Sequence, residues 1–232
     1  LHLRLEVLFS IDYLESDCQK RLDRIQNNQS KRVLLTVGGA GAQKEIFAEI
    51  IRFLLPKVKS QEVTLLINVG DHQKVWEGLC DDIPELKALT NTHFNRWEDT
   101  IHFAKSLNDN VVHGVHAFYH EDIFAAVYST NLLMPNTDIL ITKPSELAFY
   151  PVPKLMIKRV GGHEAWGAIR AQEVGDGTFE CETVQSTLQM LELMLVDKDI
   201  LSSFSHNIIK AYRMGVYDGA YKVVQLATQN TK

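Results

Sequence analysis

The sequence predicts an α/β protein: a Rossmann-like, doubly wound parallel sheet with helices on both faces, a single domain plus C-terminal helices. Three observations predict it. Short apolar runs rich in β-branched residues recur along the chain, bounded by polar or glycine-rich stretches, as strands buried on both faces require. Between them lie segments whose apolar residues repeat every three to four positions, the stripe of an amphipathic helix. The 232 residues, 45% of them hydrophobic, are enough for one large core.

The elements follow in order. Residues 1–31 read as an N-terminal strand, helix and linker: a short strand from Leu3 to Phe9, then a helix whose Leu14, Cys18, Leu22 and Ile25 share one face, ended by the polar run NNQSK. Residues 32–180 are the expected Rossmann-like domain. RVLLTV (32–37) is its first buried strand. A helix over 42–58 follows, with Ile46, Phe47, Ile50, Ile51, Leu54 and Leu55 on its stripe. Strands are expected at 63–70, 110–115, 138–142 and 154–157, with helical segments at 73–80, 98–107, 121–133 and 163–174, the last stopping at Gly175. Residues 181–232 hold C-terminal helices near 183–195, 198–203 and 205–228.

Composition removes several function classes. With 24 Lys and Arg against 29 Asp and Glu, the net charge of −5 offers no footprint for a nucleic-acid backbone. No run of about eighteen apolar residues spans a membrane, and the first ten residues lack the features of a signal peptide. Three widely spaced cysteines (Cys18, Cys80, Cys181) favour reduced thiols and a cytoplasmic location. The start at Leu1 suggests a piece of a longer protein.

In open parallel sheets, ligands bind beyond the carboxyl ends of the strands. Three loops fall there. Gly38, Gly39 and Gly41 follow the first strand directly, where backbone without Cβ can approach a phosphate at a helix N-terminus. The G-x-G-x-x-G pattern is not matched, since Lys44 stands in place of the third glycine, and a tight packing turn is the alternative. Thr142, Lys143, Ser145 and Glu146 leave the strand at 138–142. Their hydroxyl and carboxylate groups suit sugar hydroxyls, or Ser145 merely opens a helix with Glu146 beside its dipole. Gly161, Gly162, His163 and Glu164 form a second turn into a helix, either an anion cradle or a solvated helix start.

Other clusters carry less. His113, His116 and His120 cannot converge on a metal from a strand, where His116 and His120 stand about 13 Å apart. No metal is therefore expected. Cys80 and Cys181 lack flanking basic residues to activate a thiol, a G-x-S-x-G elbow is missing, and no catalytic residue is assigned.

Taken together, VLLTVGGAGAQ, NVVHGV, DILITKPSELAFY and KLMIKRVGGHEAWGAIRAQEVGDGT resemble the C-terminal, donor-binding half of GT-B glycosyltransferases. The nearest likeness is to the group of the lipid-II N-acetylglucosaminyltransferase and monogalactosyldiacylglycerol synthase. The resemblance covers residues 32–180. It implies a nucleotide-sugar, a UDP-sugar first of all, as substrate, with no cofactor. It also implies diphosphate or acceptor beside Gly38, Gly39 and Gly41, and the base near His116 to Phe118. Phosphate and ribose would lie at Thr142, Lys143, Ser145 and Glu146, and phosphate or sugar at Gly161, Gly162, His163 and Glu164. Two departures stand out: the stretch from Thr142 to Lys154 is short for the group, and Glu146 is displaced from the usual ribose-binding position. The expected partner is a missing N-terminal domain or partner half, since only about thirty residues precede the first strand, and peripheral membrane association stays open. The alternative is a non-catalytic nucleotide- or phosphosugar-binding module, or a protein-interaction module acting through the terminal helix.

Overall fold

The computed structural model describes residues 11–37 and 43–229. The expected strand at Leu3–Phe9 and the glycines Gly38, Gly39 and Gly41 lie outside these residues. Six strands form one parallel sheet: β1 (Lys31–Thr36), β2 (Val63–Asn68), β3 (Thr90–Phe94), β4 (Gly114–Tyr119), β5 (Ile139–Thr142) and β6 (Lys154–Met156), in the order β3-β4-β2-β1-β5-β6. Pairing is in simple register, with Val33 opposite Leu65 on one side and Ile139 on the other. The chain leaves β1 towards β2, β4 and β3, then crosses back to add β5 beside β1. The junction of β1 and β5 is thus the point where the winding reverses.

The helices are α1 (Leu14–Gln26), α2 (Lys44–Lys59), α3 (Gln73–Asp82), α4 (Pro84–Leu89), α5 (Trp97–Ser106), α6 (Ile123–Leu133), α7 (Ala165–Val174), α8 (Val184–Val196), α9 (Lys198–Arg213) and α10 (Gly219–Gln229). Alternation along the strands assigns them to faces. Val33, Leu35, Leu65, Ile67, Val115, Ala117, Ile139 and Ile141 point to one face. There they meet Ile46, Ile50, Leu54 and Leu55 of α2, Leu79 of α3 and Leu191 and Met194 of α8. Leu34, Leu66, Phe118 and Leu140 point to the other, against Ala104 of α5 and Leu133 of α6. Over β6, Met156 meets Ala168 and Ala171 of α7, together with Ala148.

Helix α1 carries the predicted stripe: Leu14 and Cys18 pack on Ile208 of α9. Two buried arginines flanking this stripe tie the helix to the segment before β5. Arg21 Nε donates to Thr137 O at 2.6 Å, and Arg24 forks onto Asp138 at 2.7 and 3.0 Å. Asp138 also accepts the backbone N–H of Arg32 at 2.8 Å, so both of its oxygens are occupied at the amino-terminal rim. Near the far sheet edge, the fully buried Lys154 pairs with Asp176 at 2.8 Å, and the Tyr217 hydroxyl donates to the other Asp176 oxygen at 2.8 Å.

Three expectations are corrected. The strand expected at 110–115 runs instead over Gly114–Tyr119, because Gly114, at φ +93°, turns the chain into the sheet only there. Strand β3 and helix α4 were not expected; β3 reads Thr-Asn-Thr-His-Phe and is a half-exposed edge strand with no apolar run to announce it. The helices expected at 198–203 and 205–228 are one helix, α9, followed by a turn with Gly215 at φ +72° and then α10.

Candidate functional site

Because all six strands are parallel, their carboxyl ends share one rim. A cavity of about 390 Å3 opens there at the β1/β5 reversal. Its floor is Thr36 and Val37 from β1, Asn68 from β2 and Thr142 from β5, and one wall is α6, through Ile123, Ala126, Val127, Thr130 and Asn131. The spacing of those five is one face of a helix. Lys143, Ser145, Glu146, Leu147 and Tyr150 form the opposite side, and Gly70, Asp71 and His72 complete the lining.

Local chemistry sets these walls. Asp122 caps α6, accepting the N–H groups of Phe124 and Ala125 at 2.9 and 3.0 Å. Asn68 ties that helix to β2: its amide donates to Ala126 O at 3.0 Å and Thr130 Oγ1 at 2.8 Å, while its oxygen accepts Gly70 N–H at 3.0 Å. Gly167 of α7 lies against residues 144–148, so close that a Cβ there would stand 2.5 Å from the Pro144 carbonyl oxygen.

The second glycine turn takes a different form from an open cradle. Glu164 is buried, and its carboxylate accepts the N–H groups of Val160 and Gly161 at 2.8 and 3.2 Å. It also pairs with Lys143. Burial raises the pKa of this carboxyl, but the Lys143 ammonium and the two amides outweigh burial and bring it down to about 2. The Gly161 N–H, expected to face a phosphate, is therefore held by the chain's own carboxylate, together with the N–H of Val160. His163 is exposed beside them, its ring folded back towards Gly161, and Gly162 faces open space. Gln43, at the start of α2, donates to Lys158 O, which joins the segments entering α2 and leaving β6 on the same rim.

Of the predicted residues, Thr142, Lys143, Ser145 and Glu146 line the cavity, and Glu164 reaches it through Lys143. His116 and Phe118 do not line it. They lie within β4, not after it, in a ring cluster with His93 and Phe103 on the sheet face; Phe118 is fully buried and stacks 4.7 Å from His93. The burial that encloses His93 also lowers its pKa to about 4, the neighbouring His116 adding to the effect. The α6 wall was missed as a lining element. Its signal was present, since Ile123, Val127, Thr130 and Asn131 recur at helical spacing, but so apolar a helix reads as core alone.

Comparison with solved structures supports the architecture. UDP-GlcNAc 2-epimerase from Neisseria meningitidis, bound to UDP-GlcNAc, aligns over 94% of this chain and 50% of its own, with TM-score 0.53 and 14% identity. The C-terminal CMP-Kdo binding domain of WaaA from Acinetobacter baumannii aligns over 86% of this chain and 97% of its own, with TM-score 0.50 and 10% identity. At such identities the likeness is one of fold, a GT-B-like Rossmann layer, and the chain spans half the length of the epimerase. No curated protein matches its sequence. Residues 10–228 match the family described as Domain of unknown function (DUF6938), and the chain belongs to that family.

Proposed function

We propose that this chain is a nucleotide-sugar-binding domain of GT-B type, the donor half of a glycosyltransferase-like enzyme that takes a nucleoside diphosphate-sugar, UDP-linked in the first instance. The observation that carries the reading is the cavity at the β1/β5 reversal, where open parallel sheets receive their ligands. The two structural neighbours support it, one bound to UDP-GlcNAc and the other a CMP-Kdo binding domain. In this reading Lys143 and the glycine-rich sequence that follows β1 receive the diphosphate, because Glu164 already occupies the amides of Val160 and Gly161. The chain's contribution to transfer is then positioning and charge stabilisation of the leaving diphosphate. The acceptor, and the group that activates it, come from a second half, and the narrower kinship with lipid-II N-acetylglucosaminyltransferase belongs to this same reading.

Calorimetric titration tests it, using UDP, UDP-N-acetylglucosamine and CMP as probes. Saturable binding of a uridine nucleotide, weakened tenfold or more in Lys143→Ala, is the expected result. No heat from any probe at millimolar concentration removes the reading. The non-catalytic alternative is favoured by one fact, that the likeness to WaaA covers 97% of an isolated binding domain. Binding without turnover when the chain is combined with its natural second half would select it.

A further inference from the structure

Three histidines, each partly or fully buried, tie the outer edge of the sheet together, and the nucleotide-sugar reading uses none of them. His93 of edge strand β3 meets His116 of β4, Nε2 to Nδ1, at 3.2 Å, and His116 Nε2 meets His113 O at 3.2 Å. A carbonyl only accepts, so His116 carries its proton on Nε2, its Nδ1 is the acceptor, and His93 donates from Nε2. Aromatic rings enclose the pair: Phe118 stacks 4.7 Å from His93, and Phe103 of α5 stands 4.4 Å from the His116 ring. His120, just beyond β4, repeats the pattern towards α5. Thr100 Oγ1 donates to Arg96 O at 3.1 Å, so it accepts from His120 Nε2 at 3.1 Å. Each ring thus joins two elements as a neutral imidazole. Strand β3 has little else to hold it, since Asn91 and Thr92 are exposed and Phe94 is its one apolar side chain.

This geometry has no place for added protons. A first proton on the pair removes the His116 acceptor unless His93 reverses its tautomer, and a second sets two N–H groups and two charges against each other. The charged groups around the rings compensate little. Arg96, ahead of α5, adds a like charge, Asp99 pairs with Arg96 at 3.2 Å, and Asp122 near His120 caps α6. His102 of α5 shares a surface cavity with His93, and α6, which closes this face, has no charged residue. Burial lowers the pKa of all three imidazoles, that of His93 to about 4. A histidine held below its ordinary 6.5 costs the closed state nothing above that pH and favours opening increasingly as the pH falls towards 4.

We propose that β3 and α5 form an acid-labile flap, released from β4 as one unit when His93, His116 and His120 take up protons, while the rest of the sheet stays closed. The proposal is independent of what the cavity at the β1/β5 reversal binds.

Hydrogen exchange of the full chain, read by mass spectrometry at pH 7 and pH 5 and corrected for intrinsic rates, tests it. His93 alone should raise the opening constant about twentyfold between those two values, so protection over residues 90–106 should fall at least tenfold while β1 and β2 hold theirs. In His93→Phe, which keeps a ring but cannot titrate, the fall should shrink about tenfold or more. Protection that falls equally across the whole sheet, or a fall unchanged in the variant, overturns the proposal. If His93→Phe does not fold, imidazole titration of the wild type by NMR decides: midpoints well below 6.5 support the flap, and ordinary midpoints at an edge that stays protected overturn it.

Discussion

Replacing Gly167 by alanine isolates the packing that shapes the cavity. In an ordinary helix this exchange is favourable by about 1 kcal/mol. Here the new Cβ would stand 2.5 Å from Pro144 O and 3.0 Å from the Ala148 Cβ. A carbon–oxygen contact needs about 3.3 Å or more, so α7 and residues 144–148 must separate by about 0.8 Å. Pro144 contributes a backbone carbonyl, which cannot rotate aside as a flexible side chain could. Overpacking costs about 1–3 kcal/mol, and against a rigid backbone carbonyl it falls in the upper part of that range, about 2–3 kcal/mol, leaving a net loss of about 1–2 kcal/mol after the helical gain. For a chain of this size, that lowers Tm by about 2–8 °C. The displaced segment also carries Ser145, Glu146, Leu147 and Tyr150, so under the proposed function nucleotide affinity should fall along with Tm. Gly162→Ala is the control, since a Cβ there meets nothing within 4 Å, and its stability should stay within about 0.5 kcal/mol of wild type. Urea melts of both variants decide the matter. Should Gly167→Ala prove as stable as wild type, the close approach of α7 to Pro144 is refuted.

Two further outcomes follow from buried charge. Glu164 has a folded-state pKa of about 2 against an ordinary 4.5, so its stabilisation is complete above about pH 4.5 and is lost as the pH falls towards 2. The difference amounts to about 3 kcal/mol, which water at the rim screens to about 1–2 kcal/mol; Glu164→Gln should be less stable by that amount at pH 7 and equal to wild type at pH 2, and parallel pH profiles would count against the clamp. Lys154→Met strands the Asp176 carboxylate in the interior and should cost about 3–5 kcal/mol in urea unfolding, most of it recovered when Asp176→Leu is added; a single variant within 1 kcal/mol of wild type would mean that water reaches the pair.

The sequence was most legible where burial is two-sided or periodic. Strands such as Val63–Asn68 are buried throughout and mostly apolar because helices cover both faces, and α2 shows its stripe because only one side is buried. What escaped has the opposite character. Edge strand β3 leaves its Thr and Asn side chains largely in solvent, and β4 begins where the backbone of Gly114 allows a turn, not where the valines begin. At the site, Thr142 to Glu146 were legible from the strand that delivers them. The α6 wall was not, because apolar residues beside a cavity look the same in sequence as apolar residues beside a core. Nor could the sequence foretell that Glu164 turns inwards onto the amides preceding it, since that depends on Lys143, brought from twenty-one residues away.

The trio of Lys154, Asp176 and Tyr217 bears on how much of this polypeptide is needed to shape its rim. Tyr217 lies past the end of α9, yet its hydroxyl completes the solvation of a carboxylate far from water, and the Arg170 guanidinium of α7 lies 5.8 Å over its ring. Trimming the chain after α9 would leave that carboxylate one donor short and take an aromatic surface away from α7. The tail behaves as a keystone: one short piece bearing on parts of the chain some forty residues away.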